Sequence, residues 1–210
     1  MGPGFDSPLA HTRRNSYKKS PDIIKMLPRY NSKITQDLDV SMLEYPPERI
    51  LSAKGLIDNI YYTDERGWRW KGFLEIYEIE KKLVSKTKKE AKNEKEFDWI
   101  LQDSTSYDDI FPPLNFESGI SSITVAISAL GCAPASSCRG HPFLNKNNYS
   151  PHVVAWTKRH KAEEILSSAK GLEIAVRNRK IGGSEGLIVY SNDVITLLDF
   201  SKKLYDDHKN

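Results

Sequence analysis

Hydrophobic periodicity is clearest in the last hundred residues. Ile120, Ile123, Ile127 and Leu130 recur at intervals of three and four, the spacing of one helix face, and predict a helix over about 117–130. Gly131 follows where a left-handed C-cap residue belongs. Two β segments come next, 133–138 and 152–157, with a polar loop between them. In "KRHKAEEILSSAKG" the apolar side is Ala162, Ile165, Leu166 and Ala169, a second helix that Gly171 ends. "LEIAVRNRK" and "GLIVYS" form a hairpin about Gly182-Gly183, and Leu172 to Val176 alternate as a half-solvated strand does. Val194, Leu197, Leu198 and Leu204 mark a last helix, capped by Asn192 or Asp193. The order α-β-β-α-β-β-α predicts an α+β fold for residues 112–210. It is expected to be a two-layer sandwich, a mainly antiparallel sheet with helices on one face.

The N-terminal half is patterned differently. After Trp70, apolar positions at Phe73, Ile76, Tyr77 and Leu83 give a helix over about 70–92 whose far end is charged. Trp68 and Trp70 are expected to fasten these helices to the sheet. Short clusters, Ile23, Ile24 and Leu27 before Pro28 and Ile50, Leu51 and Leu56 after Pro47, read as brief helices, so 21–111 is expected to be a mainly helical N-terminal portion. Residues 93–116 look like a connection, because "QDSTSYDDIFPPLNF" holds acidic turn formers and the Pro112-Pro113 pair; a boundary near 112 follows. Residues 1–20 lack periodicity and are expected to be a disordered basic tail.

Composition narrows the class. With 39% hydrophobic and 28% charged residues in 210, one core of ordinary size with polar extensions is the simplest reading. No apolar run reaches the roughly 18 residues that span a bilayer, and "MGPGFDSPLAHTRRN" has no signal-peptide core, so a cytoplasmic protein without membrane contact is expected. The net charge of +3 is uneven: residues 1–33 hold seven Lys and Arg against two Asp, the remainder 24 against 26. The basic arm suits a phosphate backbone or an acidic partner, or simply keeps the chain solvated. Two cysteines are too few for a disulfide framework and are expected to be reduced.

Candidate chemistry gathers in "SSCRGHPFLNKNNYSPHVVAW", residues 136–156. Cys138 and His141 stand three apart across a glycine, and His152 opens the next strand. Converging, the three would make a zinc site able to activate water. Alternatively Cys138 is a catalytic nucleophile, its thiolate favoured by Arg139 or a protonated His141. The third reading is anion binding: Ser136, Ser137, Arg139 and the Gly140 amide offer hydroxyl, guanidinium and backbone donors to a phosphate. Arg177, Arg179 and Lys180, with Lys158, Arg159 and Lys161, are expected to line one edge of the same cleft or to lie solvated. No phosphate-binding loop or dinucleotide fingerprint is present.

"LGCAPASSCRGHP...SPHVVAW" resembles a pattern in uncharacterised bacterial and phage proteins, with a helix ending at Leu-Gly and a strand reaching Ser-Cys-x-Gly-His. More remotely, Ser136 to Gly140 is similar to the Ser-Ser-Cys-Ser-Gly-Arg signature of the tRNA wybutosine-synthesising methyltransferase family. The likeness is close over about 25 residues and otherwise lies in element order. It implies S-adenosylmethionine as a possible cofactor and a pocket framed by the Ser-Cys-x-Gly segment; Arg139 and His141 depart from the signature. The leading expectation is a protein that binds a phosphate-bearing ligand, a nucleotide or a nucleic acid such as RNA through the loop from Ser136 to His141, with His152, Arg177 and Arg179. The alternatives are an enzyme, by zinc-assisted hydrolysis or nucleic-acid modification, and an interaction subunit whose protein partner meets the N-terminal helices.

Overall fold

The computed structural model describes residues 28, 30–51, 66–103, 117–141 and 150–209. Six α-helices are described: α1 (Glu48–Leu51), α2 (Trp70–Glu90), α3 (Glu94–Asp103), α4 (Ser121–Ala129), α5 (Arg159–Ala169) and α6 (Val194–His208). Four strands, β1 (Ala133–Cys138), β2 (His152–Trp156), β3 (Ala175–Ile181) and β4 (Ser184–Tyr190), form one antiparallel sheet in the order β1-β2-β4-β3. The chain is therefore α+β, and from α4 onward the order of elements is the expected one. The expected tail, Ile23, Ile24, Leu27, Leu56 and the Pro112-Pro113 pair lie outside the described residues.

Local chemistry sets most element ends. Gly131, at φ 96, closes α4: its N–H donates to the Ser128 carbonyl and the Cys132 N–H to that of Ile127, the paired bonds of a Schellman ending. Gly182 and Gly183 both have positive φ, which a two-residue hairpin turn requires, and they join Ile181 to Ser184. Asp193 is the N-cap of α6, its carboxylate accepting from the Thr196 N–H at 2.8 Å. In edge strand β1 the register shifts between Pro134 and Ser136, a bulge beside a residue that has no ladder donor.

Strand alternation divides the sheet into two faces. Val153, Ala155, Val176, Leu187 and Val189 point to the helical side and share one buried cluster with Ile123, Ile127, Ile165, Leu197 and Phe200. Helix α4 is buried from Ser121 to Ser128 and lies between the sheet and a further layer, since α2 packs on α4 and α6. Burying a whole helix also buries its first, unpaired amides. Glu80 of α2 answers this: its carboxylate accepts from Gly119 N at 2.8 Å, Ser121 N at 2.9 Å and Ser122 N at 2.8 Å, with the side chain itself buried. On the opposite face Ala133, Val154, Trp156 and Ile181 pack against Leu51 of α1.

Three expectations need correction. The connection expected over 93–116 contains helix α3, whose Phe97 and Leu101 fill the core against α2. Of the stretch read as turn formers, only Gln102 and Asp103 belong to this helix, both exposed; the rest lies outside the described residues. Residues 30–46 are not helical apart from a 3₁₀ turn at Val40–Met42, and Thr35 to Asp39 run beside the free edge of β3. There the Val176 N–H donates to the Thr35 carbonyl and Gln36 bridges Val176 in parallel, so backbone pairing with a sheet edge overrides local propensity. Trp70 meets Phe73 and Tyr205 edge-on, fastening α2 to α6 and not to the sheet.

Candidate functional site

The sheet face away from the large helices carries the polar residues of interest. Cα partners Cys138 and His152, and His152 and Tyr190, place these three side chains in one row across β1, β2 and β4. The next row runs Ser136, Val154, Ile188, Arg177, and Arg179 stands opposite Gly186, one row further. The result is a hollow of about 580 Å³ bordered by Ser32, Cys138, Ser150, His152, Arg177, Arg179, Ile188 and Tyr190. That volume lies within the range that holds small organic ligands.

Its charge is positive. Arg177 bonds Tyr190 and Asp37, with Nε 3.1 Å from the Asp37 carboxylate, so its charge is answered in part locally. Arg179 is exposed and, among the described residues, has no acidic partner. Nδ1 of His152 lies 2.7 Å from the Ser150 carbonyl, which only accepts, so the ring proton sits on Nδ1 and Nε2 keeps its lone pair. Burial lowers the pKa of His152 below its ordinary 6.5; the Ser150 carbonyl opposes this and Arg179 adds to it. The imidazole is therefore neutral at pH 7.

Beyond the end of β1 the chain turns at Gly140, whose φ of 82 suits glycine, and this brings His141 back beside Cys138. Glu117, which precedes α4, reaches the same place. Its Oε2 accepts from the Arg139 N–H at 2.8 Å and its Oε1 lies 3.5 Å from Nε2 of His141. One ligating atom each from Glu117, Cys138 and His141 lie within 4.8 Å of one another. The Gly140 N–H donates to Cys138 Sγ at 3.3 Å. Burial nevertheless pushes the Cys138 thiol up from its ordinary value of 9.0, and Glu117 reinforces the shift. This is opposite to the thiolate-favouring environment expected of a nucleophile.

The sequence candidates thus separate into two groups. Cys138, His152, Arg177 and Arg179 meet in the hollow, and Ser136 shares their face. Ser137, opposite Val153, points to the helical side. Arg139 does not face the hollow: its guanidinium is 2% exposed, with Nε 3.5 Å from Asp98. Its amide is taken by Glu117 and that of Gly140 by the thiol, so the two backbone donors of the loop are satisfied within the chain, while Nε and Nη2 of the guanidinium are buried without a hydrogen-bond partner. The expected metal set of Cys138, His141 and His152 is replaced at ligating distance by Glu117, Cys138 and His141. Lys158 lies over the Tyr45 ring, Arg159 donates to the Ser41 carbonyl and Lys161 pairs with Glu164, all beyond the far end of β2 from His152.

Glu117, Asp98, Ser32, Ser150 and Tyr190 were not among the sequence candidates for chemistry. Nothing local marks Glu117, which is 21 residues from Cys138 and looks like an ordinary acidic residue ahead of a helix. A second grouping, Ser168 Oγ 3.2 Å from Nε2 of His208 with Glu164 3.6 Å from Nδ1, has the order of a hydrolytic triad. Its hydroxyl donates to Asp207 and is buried, so it clamps α5 to α6. No protein-family model, curated protein or solved structure matches the chain. Among the described residues, no helix is long and apolar enough to cross a membrane.

Proposed function

We propose that the chain binds a phosphate-bearing ligand of nucleotide size on the open sheet face, with Arg179 and Arg177 taking the phosphate. The observation that carries this reading is Arg179, a cation without an acidic partner among the described residues, bordering a hollow of about 580 Å³. A guanidinium so placed suits the fork geometry of phosphate oxygens. The neutral His152 supplies an acceptor at Nε2 and, with the Tyr190 ring, a flat surface for a base. The ligand is thus held by the strands and not, as first expected, by the loop donors of Arg139 and Gly140. This follows from where the tertiary contacts leave unanswered charge.

The test is equilibrium binding of a nucleoside monophosphate and of a short single-stranded RNA to the full chain. Hydrogen bonds to charged groups contribute about 1.5–3 kcal/mol, so Arg179→Ala is expected to weaken binding about 10-fold to 100-fold. Lys203→Ala, on α6 and paired with Asp207, is expected to leave it unchanged. A nucleic-acid ligand is distinguished by a steep fall in affinity between about 50 and about 200 mM salt. Equal binding by wild type and Arg179→Ala, or no saturable binding by wild type, refutes the proposal.

A further inference from the structure

We infer that Glu117, Cys138 and His141 form a binding site for one divalent transition-metal ion of the zinc type, next to the hollow but distinct from its arginines. Three facts support it. The donor set is one thiol, one imidazole nitrogen and one carboxylate oxygen, all within 4.8 Å of one another. Zinc prefers this mixture, and with the thiol deprotonated the two negative ligands balance its charge. Around a tetrahedral ion such atoms sit about 3.3–3.7 Å apart, so side-chain rotations of about 1 Å complete the geometry.

The second fact is that one ring nitrogen of His141 lies within 4.8 Å of both the thiol sulfur and a carboxylate oxygen. A catalytic relay puts the nucleophile on one imidazole nitrogen and the acid on the other. Convergence on a single nitrogen is the geometry of shared coordination. The third is the surrounding support. The Arg139 N–H holds Oε2 of Glu117 at 2.8 Å and leaves Oε1 toward His141, while the Gly140 N–H is aimed at Cys138 Sγ. Hydrogen bonds of this kind orient ligands before an ion arrives.

Three protein ligands leave a fourth position, the arrangement that binds water or a substrate oxygen. Cys138 also borders the hollow, so that position adjoins the ligand face. The inference does not rest on the phosphate reading and stands if nucleotide binding fails.

Cobalt(II) is the probe, because thiolate ligation gives a charge-transfer band and tetrahedral geometry gives visible absorption. Chelator-treated full chain is expected to bind one Co²⁺ with both signals, and Zn²⁺ to displace it. Cys138→Ser is expected to abolish the thiolate band. Glu117→Gln and His141→Ala are expected to weaken Zn²⁺ by at least about 100-fold, beyond the 10–100-fold typical of outer-shell partners. Cys132→Ser, at the buried cysteine bonded to Thr157, is expected to keep the whole spectrum. Far-ultraviolet circular dichroism of each variant, with the shape-conserving Glu117→Gln as reference, separates metal loss from unfolding. No cobalt spectrum in the wild type up to about 1 mM ion overturns the site, as does a thiolate band that survives Cys138→Ser.

Discussion

Glu80→Ala tests how the candidate site is held in place. Glu80 lies on α2, yet its carboxylate accepts from Gly119, Ser121 and Ser122, the turn that carries Glu117 into α4. Truncation leaves three buried amides without their acceptor. Each such donor costs about 1–3 kcal/mol, and water entering the vacated volume recovers part of the total. A net loss of about 3–5 kcal/mol is expected, a large share of the 5–15 kcal/mol typical of a domain. Denaturant unfolding followed by tryptophan fluorescence measures it. Glu80→Gln keeps the volume and exposes the sign of the charge effect. Burial raises the pKa of Glu80 above its ordinary 4.5, outweighing the three amides that favour ionisation. Stability linked to this group is then fully present below pH 4.5 and lost as pH rises through the folded-state pKa. The advantage of wild type over Glu80→Gln should therefore shrink between pH 4.5 and neutrality. A loss below about 1 kcal/mol in the alanine variant would show that the amides find other partners, contrary to the capping argument. An advantage that grows with pH would show that the amides outweigh burial.

Other perturbations have similarly definite outcomes. Asp98→Ala strands the buried guanidinium of Arg139 and is expected to cost about 3–5 kcal/mol, measured by the same unfolding assay; a neutral effect would free Arg139 for ligand binding after all. Gly186→Ala would put Cβ 2.4 Å from Cδ1 of Ile181 and 2.6 Å from the Ala155 carbonyl oxygen. A lowered thermal midpoint of roughly 5 °C is expected, since overpacking costs about 1–3 kcal/mol and the backbone oxygen cannot swing aside. The Cys132 thiol is pushed up to about 12 by burial, so native protein at pH 8 should leave it unalkylated by iodoacetamide. Peptide mass mapping that finds Cys132 modified without denaturant would contradict that burial.

Much of the C-terminal half was legible from residue pattern because its signals are local. The 3.6-residue period of Ile120, Ile123 and Ile127, the apolar run of β2 and the Gly182-Gly183 turn each depend on neighbours within a few residues. They specify helix, strand and hairpin before any long-range contact forms. Residues 93–103 misled because a helix that buries only Phe97 and Leu101 looks polar, and its apolar side has meaning only once α2 is beside it. Residues 30–46 misled because strand-edge pairing draws on backbone groups that every residue carries.

The site divides in the same way. That Cys138 and His152 share a face followed from strand alternation once the two strands were paired. The direction of Arg139, buried against Asp98, and the arrival of Glu117 at the thiol were decided by α3 and α4, whose positions depend on helix packing. Sequence alone determined which residues could do chemistry and on which elements they lie. Tertiary structure alone decided which of them meet, because charge compensation and coordination depend on distances through space, and chain separation does not encode those distances.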